Sequence, residues 1–421
     1  MTLARVILLR MRQRLLLAAT LAALCAFARP SRAQDLDIVN ATVIDGTGAA
    51  PRAGSHVRIR GGRIVDVAPG PPVEAAGVRR IDLAGRTVIP GLVDAHAHIA
   101  TPDAARRALE SGVTTARVLG DTFLQALGTR DLIRGGHVPG PELLVSSSII
   151  RPSPGIAFYQ LYPQFGRFAS GQLRGADVIA EVVRAQVARG VDVIKVGASE
   201  RAGLASTDPR RSELTEDEMR AAVETARAAG RHVAAHAHGR PGVRAAVRAG
   251  VRSIEHGTYV DDDTLAEMQR RGTFFVPTLA VMSPLGDPRG TSADDVALQV
   301  RTYHMMGPLR AAVRKAKGLG IPVAAATDGS YADGDDTGRI RVAHDMELLV
   351  QHGGFTPLEA ITAATATGAR VLDIAARTGT IAAGLEADLV VLDRNPLDDM
   401  TVLFEPLLVI SDGRVVLDRL Y

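Results

Sequence analysis

The sequence predicts an α/β protein built around a TIM-like (β/α)8 barrel, with a small β-sandwich domain formed by both ends of the chain. Two patterns and the length support this fold class. From about residue 92, short apolar segments alternate with Ala- and Arg-rich helical segments in eight successive units, the pattern of a parallel barrel. Before that point, and again near the end of the chain, β-branched residues alternate with Gly-rich turns as in short strands. A chain of 421 residues is long enough for one barrel and one small domain.

The individual elements follow from local patterns. The first β region reads LDIVNATVIDG, SHVRIRGGRIVDVAP and RRIDLAGRTVIPG. The predicted barrel strands read LVDAHAHI, TTARVLG, ELLVSSSI, DVIKVGA, HVAAHAHG, SIEHGT, FFVPTLAV and VAAATDG. The helix LTEDEMRAAVETARAAG opens with an acidic first turn and closes on Gly230, and TPLEAITAATATGARVLDI predicts one further helix. ADLVVLDRNP and LLVISDGRVVLDR return to strand character. We therefore expect a composite β-sandwich domain over 34–90 and 376–421, and the barrel over 91–375.

Residues 1–33 predict a secretory signal peptide. A positively charged stretch is followed by an apolar run over 15–28, and Ser31-Arg32-Ala33 places small residues at the positions that a signal peptidase recognises. The run is short for a membrane-spanning helix, which needs about 20 residues, so an uncleaved anchor is the less favoured alternative. We expect cleavage near Ala33, a secreted or periplasmic location, and no stable membrane span afterwards.

Charge and cysteine content exclude several functional classes. The formal charge is +3, from 49 basic and 46 acidic residues, but residues 1–33 contain six arginines and no acid, so the remainder carries 43 basic against 46 acidic residues. With no Trp and only 15 aromatic residues, a nucleic-acid partner is not expected. The single cysteine, Cys25, lies in the apolar run. A metal in the mature chain must therefore be bound by His, carboxylate or modified Lys.

Candidate metal ligands fall at the carboxyl ends of predicted barrel strands, where barrel enzymes carry their active sites. They are His96 and His98 on the first strand, His236 and His238 on the fifth, His256 on the sixth and Asp328 on the eighth. A His-x-His pair alone is as typical of solvated or core histidines as of a metal site, although both rings face the same side of a strand. The convergence of all six on one end of the barrel favours a divalent metal with nitrogen and oxygen ligands.

Lys195 is a further candidate because it is one of three lysines in a chain with 46 arginines, and it lies in the apolar strand DVIKVGA. Burying an ammonium group is costly, so something must offset that cost. The residues alone leave three roles open. Lys195 could form an ion pair, form a Schiff base with a carbonyl substrate, or react with carbon dioxide to give a carbamate that bridges two metals.

Seven stretches together resemble the metal-dependent amidohydrolase superfamily. The resemblance is to the imidazolonepropionase-related branch, which includes Xaa-Pro and Xaa-Arg dipeptidases and an ochratoxin-degrading amidase. The stretches are VIPGLVDAHAHIA, DVIKVGA, AAHAHG, SIEHGT, ATDGS, TPLEAITAATATGARVL and GLEADLVVLDRNPL, and the resemblance covers about residues 36–416.

The resemblance implies a site with two divalent metal ions, for which zinc is the expected metal. It assigns His96, His98 and Asp328 to one ion, His236 and His256 to the other, and carboxylated Lys195 to the bridging position. It also implies that Asp328 takes a proton from a metal-bridging water and delivers it to the leaving amine. We expect His238 and Tyr259 to bind substrate, and a hydrogen bond that only supports a ligand is the alternative for each.

The sequence therefore predicts a secreted binuclear-metal amidohydrolase that cleaves an amide C–N bond, foremost in a dipeptide or N-acyl amino acid. The alternatives are a hydrolase for cyclic amides, lactones or esters on the same metal site, and a metal-free binding or scaffold barrel. The expected partner is a small-molecule substrate. Homo-oligomers are common in such enzymes, but no feature of the sequence specifies an interface.

Two stretches depart from the pattern of the related dipeptidases. SSSIIRPSPGIAFYQLYPQFGRF follows the third predicted strand, where those enzymes carry Gly-Gly-His, and GASERAGLASTDP follows Lys195 in place of a Met-Ala-Thr-Gly-Gly run. The first stretch concentrates the aromatic residues Phe158, Tyr159, Tyr162, Phe165 and Phe168. These aromatics could form a lid over an apolar substrate or pack within their own loop.

Overall fold

A computed structural model describes residues 34–121, 124–285, 296–332 and 341–420. The predicted signal peptide over 1–33 lies outside these residues. Within the described part of the chain, no helix has the length and apolar character that crossing a membrane requires.

The strands are β1 Leu36–Val43, β2 Arg52–Arg60, β3 Arg63–Pro69, β4 Arg79–Asp82, β5 Thr87–Pro90, β6 Leu92–Ala97, β7 Val113–Val118, β8 Glu142–Val145, β9 Ile194–Gly197, β10 Val233–Ala237, β11 Ser253–His256, β12 Phe274–Val276, β13 Leu389–Leu392, β14 Leu408–Ser411 and β15 Arg414–Asp418. The helices are α1 Pro102–Glu110, α2 Gln125–Arg134, α3 Ile156–Leu161, α4 Ala176–Val187, α5 Glu216–Ala228, α6 Arg240–Ala249, α7 Asp262–Arg271, α8 Leu279–Leu285, α9 Val296–Gly318, α10 Val342–Gly353, α11 Pro357–Ala363 and α12 Ala366–Leu372. Short 3-10 helices cover Pro163–Phe168 and Met400–Phe404.

The two ends of the chain meet in one mixed sheet of eight strands. Its order is β15-β14-β13-β5-β1-β2-β3, and β4 also pairs with β1. The sheet branches because the first half of β1 pairs with β4 and its last residues pair with β5, on either side of Asn40, whose φ is 52°. A separate apolar core lies between these strands, with members from β1 to β5, β13 and β14. The strands predicted as a sandwich are thus hydrogen-bonded into one continuous, branched sheet.

Seven parallel strands form the second part of the structure. They pair as β6-β7-β8 and as β12-β11-β10-β9. Ile150 joins the two groups, because its N–H donates to the Lys195 carbonyl at 2.8 Å and its carbonyl accepts from Gly197 N–H at 2.8 Å. Helices pack outside these strands, and the largest apolar cluster includes residues of both.

The eighth predicted barrel strand, VAAATDG, does not form a regular strand. Isolated bridges connect Val323 to Phe275 of β12 and Gly329 to Ala97 of β6, so the segment lies between β12 and β6 and links them. Between the bridges, the N–H groups of residues 325–327 donate to a helix carbonyl and to two aspartate side chains, Asp345 and Asp94. A regular ladder is interrupted because these donors have partners outside the sheet.

The helices largely follow their sequence signals. As the sequence predicted, α5 opens with an acidic first turn and Gly230, with φ 66°, follows its end. Thr215 and Glu218 also form a capping box at its start, which was not predicted. The single helix predicted after the barrel is instead two, α11 and α12, which separate at Thr365. They separate because the carbonyls of Ala363 and Ala364 accept N–H groups from Ala325 and Val93 rather than continuing the helix.

Candidate metal centre

The predicted ligands come together where strands β6, β9, β10 and β11 end. Gly197, two residues after Lys195, pairs with His236, and Ala237 pairs with His256. Parallel pairing in register brings the carboxyl ends of these strands to one edge. Four of the nine described non-glycine residues with positive φ are in or beside this site: His256, Thr278, Asp328 and Tyr331. Left-handed backbone at such residues is strained by about 1–3 kcal/mol each and tends to collect at functional sites.

The first ligand group consists of His96, His98 and Asp328. Asp328 Oδ1 lies 2.8 Å from His98 Nε2 and 3.1 Å from His96 Nε2. His96 is buried, whereas 42% of the His98 side chain is exposed. The two imidazoles outweigh the effect of burial and hold the pKa of Asp328 well below 3.8, so this carboxylate is ionised.

Lys195 lies against this group. Its Nζ is 3.0 Å from His96 Nε2, and the residue is only 3% exposed. Burial lowers the pKa of Lys195 from 10.5 to about 8, although the charges of Glu255 and Asp328 oppose that change. Among the described residues, no carboxylate lies within 4 Å of Nζ, so the ion pair considered from the sequence does not form as a direct contact.

Glu255 contacts His96 of the first ligand group, and Arg117 contacts Glu255. Neither residue was assigned a role from the sequence. Glu255 Oε2 lies 3.0 Å from His96 Nδ1, and its Oε1 accepts from Arg117 Nη2 at 2.9 Å and from Ser253 Oγ at 2.5 Å. Both charged side chains are fully buried. Burial would raise the pKa of Glu255, but Arg117 and His96 outweigh it and lower the pKa to about 2. The contact at Nδ1 leaves Nε2 of His96 available to a metal.

A second buried group consists of His236, His238 and His256. The His238 and His256 rings stack at 4.6 Å, and the His236 ring meets them edge-on at 4.8 and 4.7 Å. Burial is the main reason that the pKa of His238 falls to about 3 and that the pKa of His236 and His256 falls well below 6.5. The rings are therefore neutral, which is the form that binds metals.

Each ring of the second group has an oxygen partner that fixes its orientation. His256 Nδ1 lies 2.8 Å from Thr278 Oγ1, and His238 Nδ1 lies 2.8 Å from Thr258 Oγ1. His236 Nε2 lies 3.3 Å from the carbonyl oxygen of a loop residue, Glu200. The two threonines and this carbonyl were not predicted. A threonine after a strand carries no signal of its own until the fold places it beside an imidazole.

Asp94 is another buried residue that sequence reasoning missed. Its carboxylate accepts from the N–H and hydroxyl of Thr327 at 3.1 and 2.6 Å, from the Tyr331 hydroxyl at 2.9 Å and from His96 N–H at 3.2 Å. These contacts connect β6 to the segment that carries Asp328. The position of Asp94 in the sequence, two residues before His96 in the strand LVDAHAHI, was the one signal that could have identified it.

A cavity of about 410 Å³ opens over both ligand groups. Its lining includes seven of the eight predicted site residues, His96, His98, Lys195, His236, His238, His256 and Asp328. Tyr259, the eighth, is not among the lining residues, and its pKa is raised mainly by burial. The apolar part of the lining comes from Leu119, Ile149, Val281, Met282 and Leu298.

The aromatic stretch that follows β8 does not line this cavity. Phe158, Tyr162 and Phe165 are at most 2% exposed and belong to the large apolar cluster. The Phe158 ring lies 5.0 Å from Tyr162 and 5.9 Å from Phe165. Of the two sequence interpretations, packing of the loop on itself and on the core is the observed one, because three large rings remove more apolar surface from water together than apart.

The donor sets fit two divalent metal ions. Within each group, His96/His98/Asp328 and His236/His238/His256, one ligand atom per residue lies within 4.8 Å of the others. Imidazole and carboxylate ligands suit zinc and neighbouring transition metals. The geometry does not separate His238 from its two neighbours, so the expected division between a substrate-binding His238 and metal-binding His236 and His256 stays a prediction.

Comparisons with known proteins agree with this chemistry. The profile of the Amidohydrolase family matches residues 87–416. Ochratoxinase from Aspergillus niger is 33% identical over 296 residues, which are 68% of this chain and 56% of that protein. The chain thus matches little more than half the length of that curated relative.

Two solved structures extend the comparison over most of the chain. A Xaa-Pro dipeptidase with bound methionine in the active site superposes with a TM-score of 0.81, at 27% identity over 91% of this chain and 99% of that chain. A prolidase complexed with N-methylphosphonate-L-proline superposes with a TM-score of 0.76, at 26% identity over 91% and 99%.

Proposed function

Because this chain belongs to the amidohydrolase family, we propose that it hydrolyses an amide C–N bond in a small molecule, foremost a dipeptide or an N-acyl amino acid. One observation carries the proposal. Two groups of metal-ligand side chains line the same cavity, with a buried lysine of lowered pKa beside one of them. The related ochratoxinase and the Xaa-Pro dipeptidase support an amide as the scissile bond.

We assign the ligands as the family resemblance implies. His96, His98 and Asp328 would hold one zinc ion, and His236 and His256 would hold the other. His238 lies beside the second group and would donate a hydrogen bond to a substrate oxygen. When bound, the two ions would act as Lewis acids that polarise the amide carbonyl and lower the pKa of water.

The chain's own residues would move the proton. Asp328 is ionised and only 19% exposed, so its carboxylate could accept a proton in the cavity and later donate it to the leaving nitrogen. Glu255 would keep the His96 ring oriented through Nδ1. His96 from β6, Glu255 from β11 and Asp328 from the segment at 322–329 would thus contribute to one reaction, Glu255 only by positioning His96.

We propose that Lys195 carries the bridging carbamate. Carbon dioxide reacts with the neutral amine, and a pKa of about 8 makes that form more abundant near neutral pH than an ordinary lysine would. A carbamate would also replace a buried cation, which has no direct carboxylate partner, with an anion next to two cationic metals. This arrangement would offset the cost of burying the group.

The Lys195 assignment is tested by Lys195→Ala, with the exposed Lys315→Ala as the matched control. We expect Lys195→Ala to lose about one or both equivalents of zinc, nearly all activity, and the carbamate signal seen by NMR after labelling with isotopic bicarbonate. Lys315→Ala, which removes a surface contact to Asp262, should keep all three. Full metal content and activity in Lys195→Ala would refute the assignment.

The reaction class is tested with the zinc-loaded full chain. A panel of dipeptides, N-acyl amino acids, cyclic amides, lactones and esters separates the amide hypothesis from its alternatives. Hydrolysis of the linear amides with the highest kcat/KM is the expected result. A clear preference for lactones or esters would move the assignment to the alternative, and zinc content under one equivalent with no activity would favour a scaffold protein.

We further propose that the seven parallel strands and the irregular segment at 322–329 close into a (β/α)8 barrel. Backbone hydrogen bonds link that segment to β12 and β6. Between β8 and β9, Asp192 N–H donates to the carbonyl of Val145 at 2.8 Å, and Ile150, which follows β8, pairs with Val196. We also propose export through the segment at 1–33, which N-terminal sequencing of the protein from its producing cells would test. An N-terminus at residue 1 would refute cleavage.

A further inference from the structure

We propose that Arg201 binds a carboxylate of the substrate and so makes the cavity selective for amides of free amino acids. This inference rests on the proposed amide hydrolysis and adds the residue that recognises the amino-acid end of the substrate. Arg201 belongs to GASERAGLASTDP, one of the two stretches in which this chain departs from the related dipeptidases.

Arg201 is an exposed residue that lines the same cavity as the metal-ligand groups. Its guanidinium makes no ion pair within 4 Å among the residues that the structure describes. Other arginines of the same loop are engaged, since Arg210 contacts Asp208 at 2.9 Å and Arg211 contacts Glu200 at 3.6 Å. The loop therefore places at the cavity one arginine, Arg201, that has no ion pair among the described residues.

The nearby acids make their direct ion pairs with other arginines, although the charge of Arg201 also lowers the pKa of Glu213, which burial raises to about 7. Glu200 contacts Arg211, and Glu213 contacts Arg151 at 3.5 Å. Arg151 is only 11% exposed, and both it and Glu213 lie against Gly197, which has no side chain to exclude them. The pairing of these two acids with other arginines leaves Arg201 available for an anionic ligand.

The loop that carries Arg201 is held in place by Arg301 of α9. The Arg301 guanidinium donates to the carbonyls of Ala202, Leu204 and Thr207 at 2.8, 2.6 and 2.6 Å. Thr207 Oγ1 in turn donates to the Arg201 carbonyl at 2.6 Å. These contacts order the backbone of the loop before substrate binds, which lowers the entropic cost of holding a ligand with Arg201.

The rest of the lining defines the substrate class. Apolar side chains, including Leu119, Ile149 and Met282, line the cavity together with the metal ligands. A guanidinium binds a carboxylate through paired, charge-assisted hydrogen bonds. The arrangement thus fits an amide with a free carboxylate for Arg201 and an apolar group for the other side chains.

The test compares two substrates that differ only at the carboxylate. N-acetyl-L-phenylalanine and N-acetyl-L-phenylalaninamide share the same acetyl amide bond, and the second lacks the negative charge. For the zinc-loaded full chain, kcat/KM and calorimetric affinity should favour the carboxylate about 10- to 100-fold, the range of one charged hydrogen-bonded contact. Arg201→Gln should remove that preference and leave the carboxamide unchanged, while Arg210→Gln should leave both unchanged.

The outcomes separate this inference from the proposed reaction. Hydrolysis of both compounds without a preference that depends on Arg201 would overturn the inference and leave amide hydrolysis standing. Binding that favours the carboxylate through Arg201, without hydrolysis, would support the inference and count against amide hydrolysis. An equal fall of kcat/KM for both substrates in Arg201→Gln would assign Arg201 a structural role and overturn the inference. If the unchanged chain neither binds nor hydrolyses these compounds, both the inference and the proposed reaction are overturned.

Discussion

Glu255→Gln is the substitution whose consequence follows most directly from the structure. It replaces a fully buried carboxylate that accepts from Arg117 Nη2 at 2.9 Å, Ser253 Oγ at 2.5 Å and the His96 ring at 3.0 Å. The amide keeps the shape of the side chain but removes the charge. Arg117 then remains as a buried cation without its counter-ion, because its other acceptors, Ala95 O and Ser253 Oγ, are neutral.

The magnitude comes from the burial of the pair. Removing one partner of a buried ion pair costs about 3–5 kcal/mol, since the remaining charge has lost its compensation. The free energy of unfolding of the metal-free protein should fall by that amount. Metal affinity should fall by about 10- to 100-fold in addition, because the amide has one oxygen where the carboxylate has two and cannot accept from both Arg117 and the His96 ring.

The assay is denaturant unfolding in the presence of a chelator, followed by zinc titration of the folded protein. Glu110→Gln is the control, because its exposed pair with Arg106 should contribute at most about 0.5 kcal/mol. The double variant Arg117→Met/Glu255→Gln removes both charges and should recover part of the lost stability. A loss below about 1 kcal/mol in Glu255→Gln, or no recovery in the double variant, would refute the coupling of these charges.

Three further predictions concern packing and pH. Phe158→Ala should lower unfolding free energy by about 3–5 kcal/mol while KM stays unchanged, because the ring fills the core and does not line the cavity; a changed KM in the folded variant would contradict this. Burial raises the pKa of Asp345 from 3.8 to about 7, so stability should fall as pH rises between those values, and Asp345→Asn should flatten that part of the stability–pH curve; an unchanged slope would disprove it. Gly242→Ala places a Cβ 2.4 Å from the Ala198 carbonyl and should cost about 1–3 kcal/mol, whereas Gly128→Ala meets no atom within 4 Å and should not destabilise; equal melting temperatures would count against the difference.

The sequence predicted where the candidate ligands lie because their signal is local. A His-x-His pair at the end of an apolar strand places both rings on one face, and parallel strands bring their ends to a common edge. The strands around His96, Lys195, His236 and His256 confirm this reasoning. Burial of Lys195 was also predictable. Its neighbours in the strand, Ile194 and Val196, are apolar and buried, so the residue between them is buried as well.

The supporting residues could not be predicted in the same way. Glu255, Asp94 and Thr278 act through contacts with residues that are distant along the chain, and each residue type is common after a strand. The irregular eighth strand depends on side-chain acceptors, Asp94 and Asp345, that compete with the sheet for backbone N–H groups. Such competition is a property of the assembled fold and leaves no periodic pattern in the sequence.

The two buried basic residues near His96, Arg117 and Lys195, are stabilised in different ways. The buried guanidinium of Arg117 pairs directly with the carboxylate of Glu255 at 2.9 Å, which offsets the cost of burying its charge. Lys195 has no such partner, and desolvation instead lowers its pKa to about 8. Glu255, the partner of Arg117, contacts Nδ1 of His96, and Lys195 contacts Nε2 of the same ring. The carboxylate that Arg117 stabilises therefore orients the ring at Nδ1, and the Lys195 amine lies at Nε2, where it could be modified beside the proposed metals.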